Sequence, residues 1–176
     1  MVTKNKLLGV LESHADNIRL VNIVRVLARK GNLNESFSVA IGEDGIKKDA
    51  FHKSLHLLAN VDKLTHTTEE LYKTVIRAAV TESFELSRDY CEKNNQQELF
   101  ETQPWFQVFR LLRNALNHNF MFEFRKFDKT LLPCRWNSIT IDISLDNKEL
   151  SLNVLPVTAA LEWLECLEEF ITNELQ

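Results

Sequence analysis

The fold is indicated most clearly by the stretch WFQVFRLLRNALNH, residues 105–118. At 3.6 residues per turn, most of its apolar side chains fall within an arc of roughly 160° and its polar side chains within an opposite arc of roughly 140°, with Phe106 as the exception at the edge of the polar side. The apolar set comprises Val108, Phe109, Leu111, Leu112, Ala115 and Leu116. The polar set comprises Arg110, Arg113, Asn114, Asn117 and His118. This spacing predicts an amphipathic helix over Trp105–Asn117, directly after Pro104, because a first helical turn tolerates proline.

Helical periodicity continues on both sides of this stretch, where apolar residues recur three and four positions apart. Further helices are predicted over residues 6–30, 47–60, 67–93 and 158–175. The helix over 67–93 is expected to begin at Thr67-Thr68-Glu69-Glu70, since threonine caps and early acidic residues favour a helix N-terminus. Gly31 and the polar residues 94–97 supply the breaks between these helices.

Between the last two helices the hydrophobic period changes from helical to alternating. Apolar and polar residues alternate over Ile139–Leu145 and again over Leu150–Val154, with Asp146-Asn147-Lys148 between them, which predicts a β-hairpin. A two-residue turn would pair Ile143 with Leu150, Ile141 with Leu152 and Ile139 with Val154. A four-residue turn keeps the same faces, so the register stays open. Phe120–Phe127 and Phe37–Ile41 are candidates for further strands.

The composition is that of an ordinary globular domain. Hydrophobic residues make up 44% of the 176 residues and charged residues 26%, close to the usual shares. Three widely spaced cysteines without a C-x-x-C pair exclude a disulfide framework and a zinc ribbon. No apolar run approaches the roughly 18 residues needed to span a bilayer, and the N-terminus lacks the pattern of a signal peptide. We therefore expect a cytoplasmic protein with no membrane partner.

The polar face of residues 105–118 has a chemistry of its own. It carries arginines, amides and a histidine but no carboxylate, in a chain whose net charge is −4. Arginine presents planar donors that match phosphate oxygens, and histidine is the side chain that exchanges protons near neutral pH. These residue types predict a small electropositive site for a phosphate ester, without a metal. A plain solvated helix face on a helical interaction protein would produce the same pattern and is the alternative.

Arg113-Asn114-Ala115-Leu116-Asn117-His118 resembles the R-x-x-x-x-H signature of the HEPN superfamily, in which a polar residue commonly follows the arginine. The order of long helix, motif helix, β-hairpin insert and closing helix over residues 67–175 is also similar to that family. The resemblance implies one mainly α-helical domain over residues 1–176. Its fold would be a HEPN-like antiparallel helical bundle with a small β-hairpin insert between the last two helices. Residues 1–62 match only as additional N-terminal helices.

The resemblance also implies an activity, that of a metal-independent endoribonuclease without a cofactor, often a toxin or host-defence effector. Arg113 and His118 would be the catalytic pair and Asn114 the supporting polar residue. Arg110 and Asn117 lie on the same predicted face and are candidates for binding neighbouring phosphates. The expected partners are RNA, a second copy that completes a composite cleft, and a cognate antitoxin or defence partner protein. Family members with degraded motifs are binding modules, so a non-catalytic HEPN-like module that binds RNA, a nucleotide or a protein is the alternative.

Two further candidates lie outside the motif. His52 and His56 have the i, i+4 spacing that can hold a metal, but no glutamate stands between them as in H-E-x-x-H, so surface histidines are the better interpretation. Glu82, among the apolar residues of the helix over 67–93, is a candidate to orient Arg113.

Overall fold

The computed structural model of the protein describes residues 3–31, 33, 57 and 60–175. Its helices are α1 (Lys4–Arg29), α2 (Val61–Lys93), α3 (Gln97–Glu101), α4 (Phe106–Asn117), α5 (Lys126–Thr130) and α6 (Val157–Asn173). Its strands are β1 (Cys134–Trp136) and β2 (Ile139–Ile141), followed by a 3-10 helix (Ile143–Leu145). The predicted fold class, mainly α-helical with a small antiparallel hairpin between later helices, is confirmed. In the described part of the chain, every helix is too short or too polar to cross a lipid bilayer.

The chain divides into two compact units, one of Met1–Ala15 with Ile76–Gln176 and one of Asp16–Val75. In the second unit, an apolar cluster is formed by Ala28, Leu33 and Leu64 with Val24, Leu27 and Leu57 packed against it. Glu69 of this unit lies between two arginines, 3.6 Å from Arg25 and 2.6 Å from Arg29.

Aromatic side chains fill the core of the first unit and bring the later part of α2 together with α4 and α6. The Trp163 ring stacks on that of Phe109 with centroids 3.6 Å apart, and Phe84 lies 6.3 Å from Trp163. The buried Trp163 indole Nε1 donates a hydrogen bond to Ser83 Oγ at 3.0 Å, which satisfies the only polar atom of that ring. Because this core takes up the apolar face of α4, the polar face of α4 is left toward solvent.

The long helix α2 begins at Val61 rather than at Thr67. Asn60 caps it, since its Oδ1 accepts a hydrogen bond from the backbone N–H of Lys63 at 2.9 Å. Thr67 and Thr68 instead lie inside the helix, where their hydroxyls donate to the carbonyls of Lys63 and Thr65. The predicted start was wrong because Asn60 caps the helix earlier, and the helix then continues without a break through Thr67 and Thr68.

The predicted pairing of Ile139–Leu145 with Leu150–Val154 is also wrong. Ile139–Ile141 pairs with the preceding segment instead, in the register Cys134↔Ile141, Arg135↔Thr140 and Trp136↔Ile139. Asn137 adopts the positive φ of 48° at the turn between these strands, and the Trp136 ring packs edge-on against Phe109 at 4.7 Å. Ile143–Leu145 form the 3-10 helix, capped by Asp142, whose carboxylate accepts from the N–H of Ser144 at 2.7 Å.

The candidate strand Phe120–Phe127 forms a single bridge, between Met121 and Glu149, rather than a strand. Phe122 N donates to Lys148 O at 2.9 Å, and Leu150 N donates to Phe120 O. This segment therefore lies alongside the part of the chain that precedes α6. Its alternation is nevertheless real, because Phe120, Phe122 and Phe124 are all buried. The predicted strand 37–41 and nearly all of the predicted helix 47–60 lie outside the described residues.

Candidate active site in a cleft beside helix α4

A cleft of about 730 Å³ lies along the polar face of α4. Four of the residues on the predicted polar face line the cleft together: Arg110, Arg113, Asn114 and His118. They share this cleft because the apolar residues between them are buried in the aromatic core, which turns their side chains to one side. Residues that the motif places on one face of the helix therefore line one concave surface.

Asn117 is placed differently. Its Oδ1 accepts a hydrogen bond from the Thr81 hydroxyl at 3.1 Å, and it is not among the residues that line the cleft. The substrate-binding role predicted for Asn117 therefore rests on the sequence pattern alone.

Arg113 is held by three neighbours. Its guanidinium pairs with the Glu85 carboxylate of α2, donates to Asn114 Oδ1 at 2.8 Å and lies 5.3 Å from the centroid of the Phe84 ring. Its side chain is 18% exposed, and this burial lowers the pKa of the guanidinium, with Glu85 acting in the opposite direction. Arginine stays charged at neutral pH even so. The hydrogen bond places Asn114 beside Arg113, and its supporting role at the site stays a prediction.

The acidic partner of Arg113 is Glu85, and the hypothesis that Glu82 orients Arg113 is wrong. The Glu82 side chain is 55% exposed, and its carboxylate lies 3.2 Å from His14 Nε2. Three residues along a helix correspond to a rotation of about 300°, so Glu85 is displaced by about 60° from Glu82 around α2. That rotation brings Glu85 rather than Glu82 to the Arg113 side.

Arg110 has a buried carboxylate of its own. Its guanidinium pairs with Asp128, which is only 2% exposed and also accepts from the backbone N–H of Arg125 at 2.8 Å. Arg110 Nε donates to Gln107 Oε1 at 3.1 Å. Since a buried carboxylate is stable only when it is paired, Asp128 fixes Arg110 against α5.

His118 ends the motif helix. Its backbone N–H donates to Asn114 O at 2.9 Å, and the next two residues, Asn119 and Phe120, take positive φ values of 54° and 62°. The imidazole is 51% exposed, with Nδ1 3.5 Å from a carboxylate oxygen of Glu123. The ring is therefore open to a ligand from the cleft, unlike the two arginines, which are largely packed.

The charge of the cleft differs from that of the polar face of α4 alone, because neighbouring elements add carboxylates and further cations. The cleft is lined by the cations Arg88, Arg110, Arg113, Arg125 and Lys129 and by the carboxylates Glu101, Glu123 and Asp146. Glu85 and Asp128 add two carboxylates bonded to the motif arginines. The expected electropositive surface without carboxylates is therefore corrected to a mixed surface in which most cations are paired. A guanidinium has five N–H donors, so one carboxylate leaves others for a phosphate.

The segment after α4 also contributes to the cleft, although no site residue was predicted in it. Arg125 and Lys129 line the cleft from the run Arg125-Lys126-Phe127-Asp128-Lys129, where three cations surround an aromatic residue. Such interleaving of basic and aromatic residues is a signal that could have marked it.

No group of three or more His, Cys, Asp or Glu side chains among the described residues is arranged to hold a metal ion. Comparisons of this chain with known protein families, with curated proteins and with solved structures found no match. The geometry of the cleft and the sequence motif are therefore the basis on which a function is inferred.

Proposed function

We propose that this protein is a HEPN-like, metal-independent endoribonuclease that acts as a homodimer in the cytoplasm, as a toxin or defence effector. The observation that carries the proposal is that three of the four polar residues of the R-x-x-x-x-H motif, Arg113, Asn114 and His118, line one cleft with Arg110. A guanidinium and an accessible imidazole on one concave surface can supply the charge stabilisation and the proton transfer that cleave a phosphodiester.

The mechanism uses the 2′-hydroxyl of RNA as the nucleophile. As its oxygen bonds to phosphorus, the bond to the 5′-oxygen breaks. The neutral His118 imidazole of one protomer takes the proton of the 2′-hydroxyl, and the protonated His118 imidazole of the second protomer gives a proton to the 5′-oxygen. Arg113 stabilises the additional negative charge on the phosphorane. The products are a 2′,3′-cyclic phosphate and a 5′-hydroxyl. DNA lacks the 2′-hydroxyl and is not cleaved.

A second copy of the chain would complete the site. His118 lies half-exposed at the end of α4, so one protomer presents its imidazole to solvent rather than enclosing it. Two protomers that face each other across a two-fold axis would surround one phosphate with two guanidinium–imidazole pairs. A toxin of this kind requires restraint in the cell, so a cognate antitoxin or defence partner protein is part of the proposal.

The test is incubation of the protein with RNA in EDTA, followed by analysis of the ends. We expect cyclic-phosphate ends from wild type and a loss of rate of about 100-fold or more in His118→Ala, the usual contribution of a general acid–base group. His66→Ala is the matched control, because His66 is an exposed histidine that does not line the cleft. Light scattering should show a dimer.

Three results would contradict the nuclease: no cleavage by wild type, full activity of His118→Ala, or a strict requirement for a divalent cation. Unfolding of His118→Ala in a thermal melt would instead make the histidine structural.

One observation favours a second candidate, a non-catalytic HEPN-like binding module. Arg113 and Arg110 are each paired with a carboxylate, as arginines with a structural role commonly are. Such a module would bind RNA, a nucleotide or a protein without cleaving RNA, so binding without cyclic-phosphate ends distinguishes it.

A further inference from the structure

Phe127 is the most exposed large apolar side chain among the described residues, at 66%. Scattered apolar side chains on a surface are ordinary, so exposure by itself indicates nothing. Phe127 differs because it lies on α5 between Arg125 and Lys129, which both line the cleft. Its ring also lies 6.0 Å from the guanidinium carbon of Arg110, which lines the cleft as well. The ring is therefore at the rim of the candidate active site.

The short helix that carries Phe127 is anchored by the two residues that follow Phe127. The next residue, Asp128, is buried and pairs with Arg110, and Lys129 Nζ lies 2.6 Å from a carboxylate oxygen of Asp146. These bonds hold α5 against the cleft while Phe127 projects into solvent. An aromatic ring held in this way loses little conformational entropy when a flat ligand stacks on it.

The charges around Phe127 favour an anionic ligand. Arg125 and Lys126 directly precede it, both are exposed, and neither forms an ion pair within the residues that the structure describes. An aromatic face beside unpaired cations suits single-stranded RNA, whose bases stack on aromatic rings while its phosphates contact the cations. A protein partner that buried only the ring would leave these cations without partners.

We propose that Phe127 is a base-stacking site for an unpaired nucleotide of RNA, with the adjoining phosphates held by Arg125 and Lys126. The proposal rests on the proposed function in taking RNA as the ligand of the cleft. It adds a structural requirement to the substrate, because the bases of a duplex are stacked on one another and cannot offer a face to Phe127. The substrate is single-stranded where it passes the rim of the cleft.

The test measures binding rather than cleavage. A short fluorescent 2′-O-methyl oligoribonucleotide lacks the nucleophilic hydroxyl, so its affinity can be measured by anisotropy with the wild-type protein, whatever its activity. We expect Phe127→Ala to bind the single strand about 5- to 100-fold more weakly, the usual effect of removing one stacking ring. Phe127→Trp should restore binding. Phe127→Leu, which keeps an apolar side chain without a flat ring, should resemble Phe127→Ala.

Two control ligands separate stacking from charge. An abasic strand of the same length keeps the phosphates and should bind wild type and Phe127→Ala equally. A blunt duplex of the same sequence should likewise show no dependence on Phe127.

The proposal is overturned if wild type does not bind the single strand, if Phe127→Ala binds it as tightly as wild type, or if Phe127→Leu binds as tightly as wild type. A conversion of dimer to monomer in Phe127→Ala with unchanged RNA affinity would assign the ring to a protein interface and also overturn it. If cleavage in EDTA fails but single-strand affinity still depends on Phe127, the nuclease is refuted and the stacking site stands. If cleavage holds but that dependence is absent, only the stacking site is refuted.

Discussion

At the scale of single residues, the carboxylates on the motif arginines determine what the cleft can do before a substrate arrives. Glu85 holds Arg113 and Asp128 holds Arg110, and both arginine side chains are largely buried. Charged hydrogen bonds of this kind fix a guanidinium in one geometry, but they also place negative charge next to the site of a phosphate. Glu85 is therefore expected to aid orientation of Arg113 and to oppose binding of RNA.

The Glu85→Gln variant tests this dual role. Removal of the negative charge should lower KM for RNA, while the looser hold on Arg113 should lower kcat by about tenfold, the equivalent of ~1.4 kcal/mol. Glu82→Gln is the matched control, since Glu82 pairs with His14 and should leave both constants unchanged. Steady-state kinetics on a fluorogenic RNA measures both. Parallel losses in the two variants would contradict a specific role for Glu85.

At the scale of the elements, strand pairing was determined by a turn and an aromatic contact rather than by alternation. Ile139–Ile141 has the alternation of a half-buried strand, and both isoleucines are buried. Two neighbouring segments could have paired with it, and the preceding one does so because Asn137 accepts the turn conformation and Trp136 reaches Phe109. Alternation identifies a strand but does not identify its partner.

The N-terminus of α2 gives a prediction about stability. Asn60→Ala should lower the free energy of unfolding by about 1 kcal/mol, the usual value of a helix cap, because the N–H of Lys63 loses its acceptor. Asn60→Asp should retain most of the stability. Urea denaturation with an unchanged m-value measures the difference.

Thr67→Ala supplies the comparison for Asn60→Ala. Thr67 donates its hydroxyl to a helix carbonyl at an exposed position and does not cap the helix. A larger loss of stability in Thr67→Ala than in Asn60→Ala would contradict the observed start of α2.

At the scale of the whole molecule, the pKa values of the three cysteine thiols reflect their burial. Burial raises the pKa of the Cys91 thiol to about 12, and burial with Glu169 nearby raises that of Cys166 to about 11. Burial also raises the pKa of Cys134. The thiolate is the reactive form, so each folded-state thiol is less reactive near neutral pH than a free cysteine.

We therefore expect slow alkylation of Cys91 and Cys166 by iodoacetamide at pH 8 and a steep increase as the pH rises toward 11. In urea all three cysteines should react at the rate of free thiols. The raised pKa values show that the folded state favours the neutral thiols. Their contribution to the free energy of unfolding is therefore present below the ordinary thiol pKa and is lost as the pH rises through the folded-state pKa values. Mass spectrometry of the labelled peptides measures the rates, and rapid labelling of Cys91 in the native protein at pH 8 would contradict its burial.

Sequence periodicity predicts the four longer helices α1, α2, α4 and α6, apart from the start of α2, and the internal geometry of α4. The 3.6-residue period places Arg110, Arg113, Asn114 and His118 on the same face, because that relation depends on one helix alone. The same holds for the alternation of Phe120, Phe122 and Phe124, whose burial follows from a period of two.

The groups from other elements that meet α4 are determined by tertiary packing and were not predicted from the sequence. Each of these contacts joins separate segments of the chain. Examples are the ion pairs of Arg113 with Glu85 and of Arg110 with Asp128, the approach of the Phe127 ring to Arg110, and the hydrogen bond between Thr81 and Asn117. Local periodicity gives the face of each helix, but the rotation of one helix against another is determined by how the whole aromatic core packs. The physical reason is that a pattern within one element carries no information about which residue of a distant element will fill the space beside it.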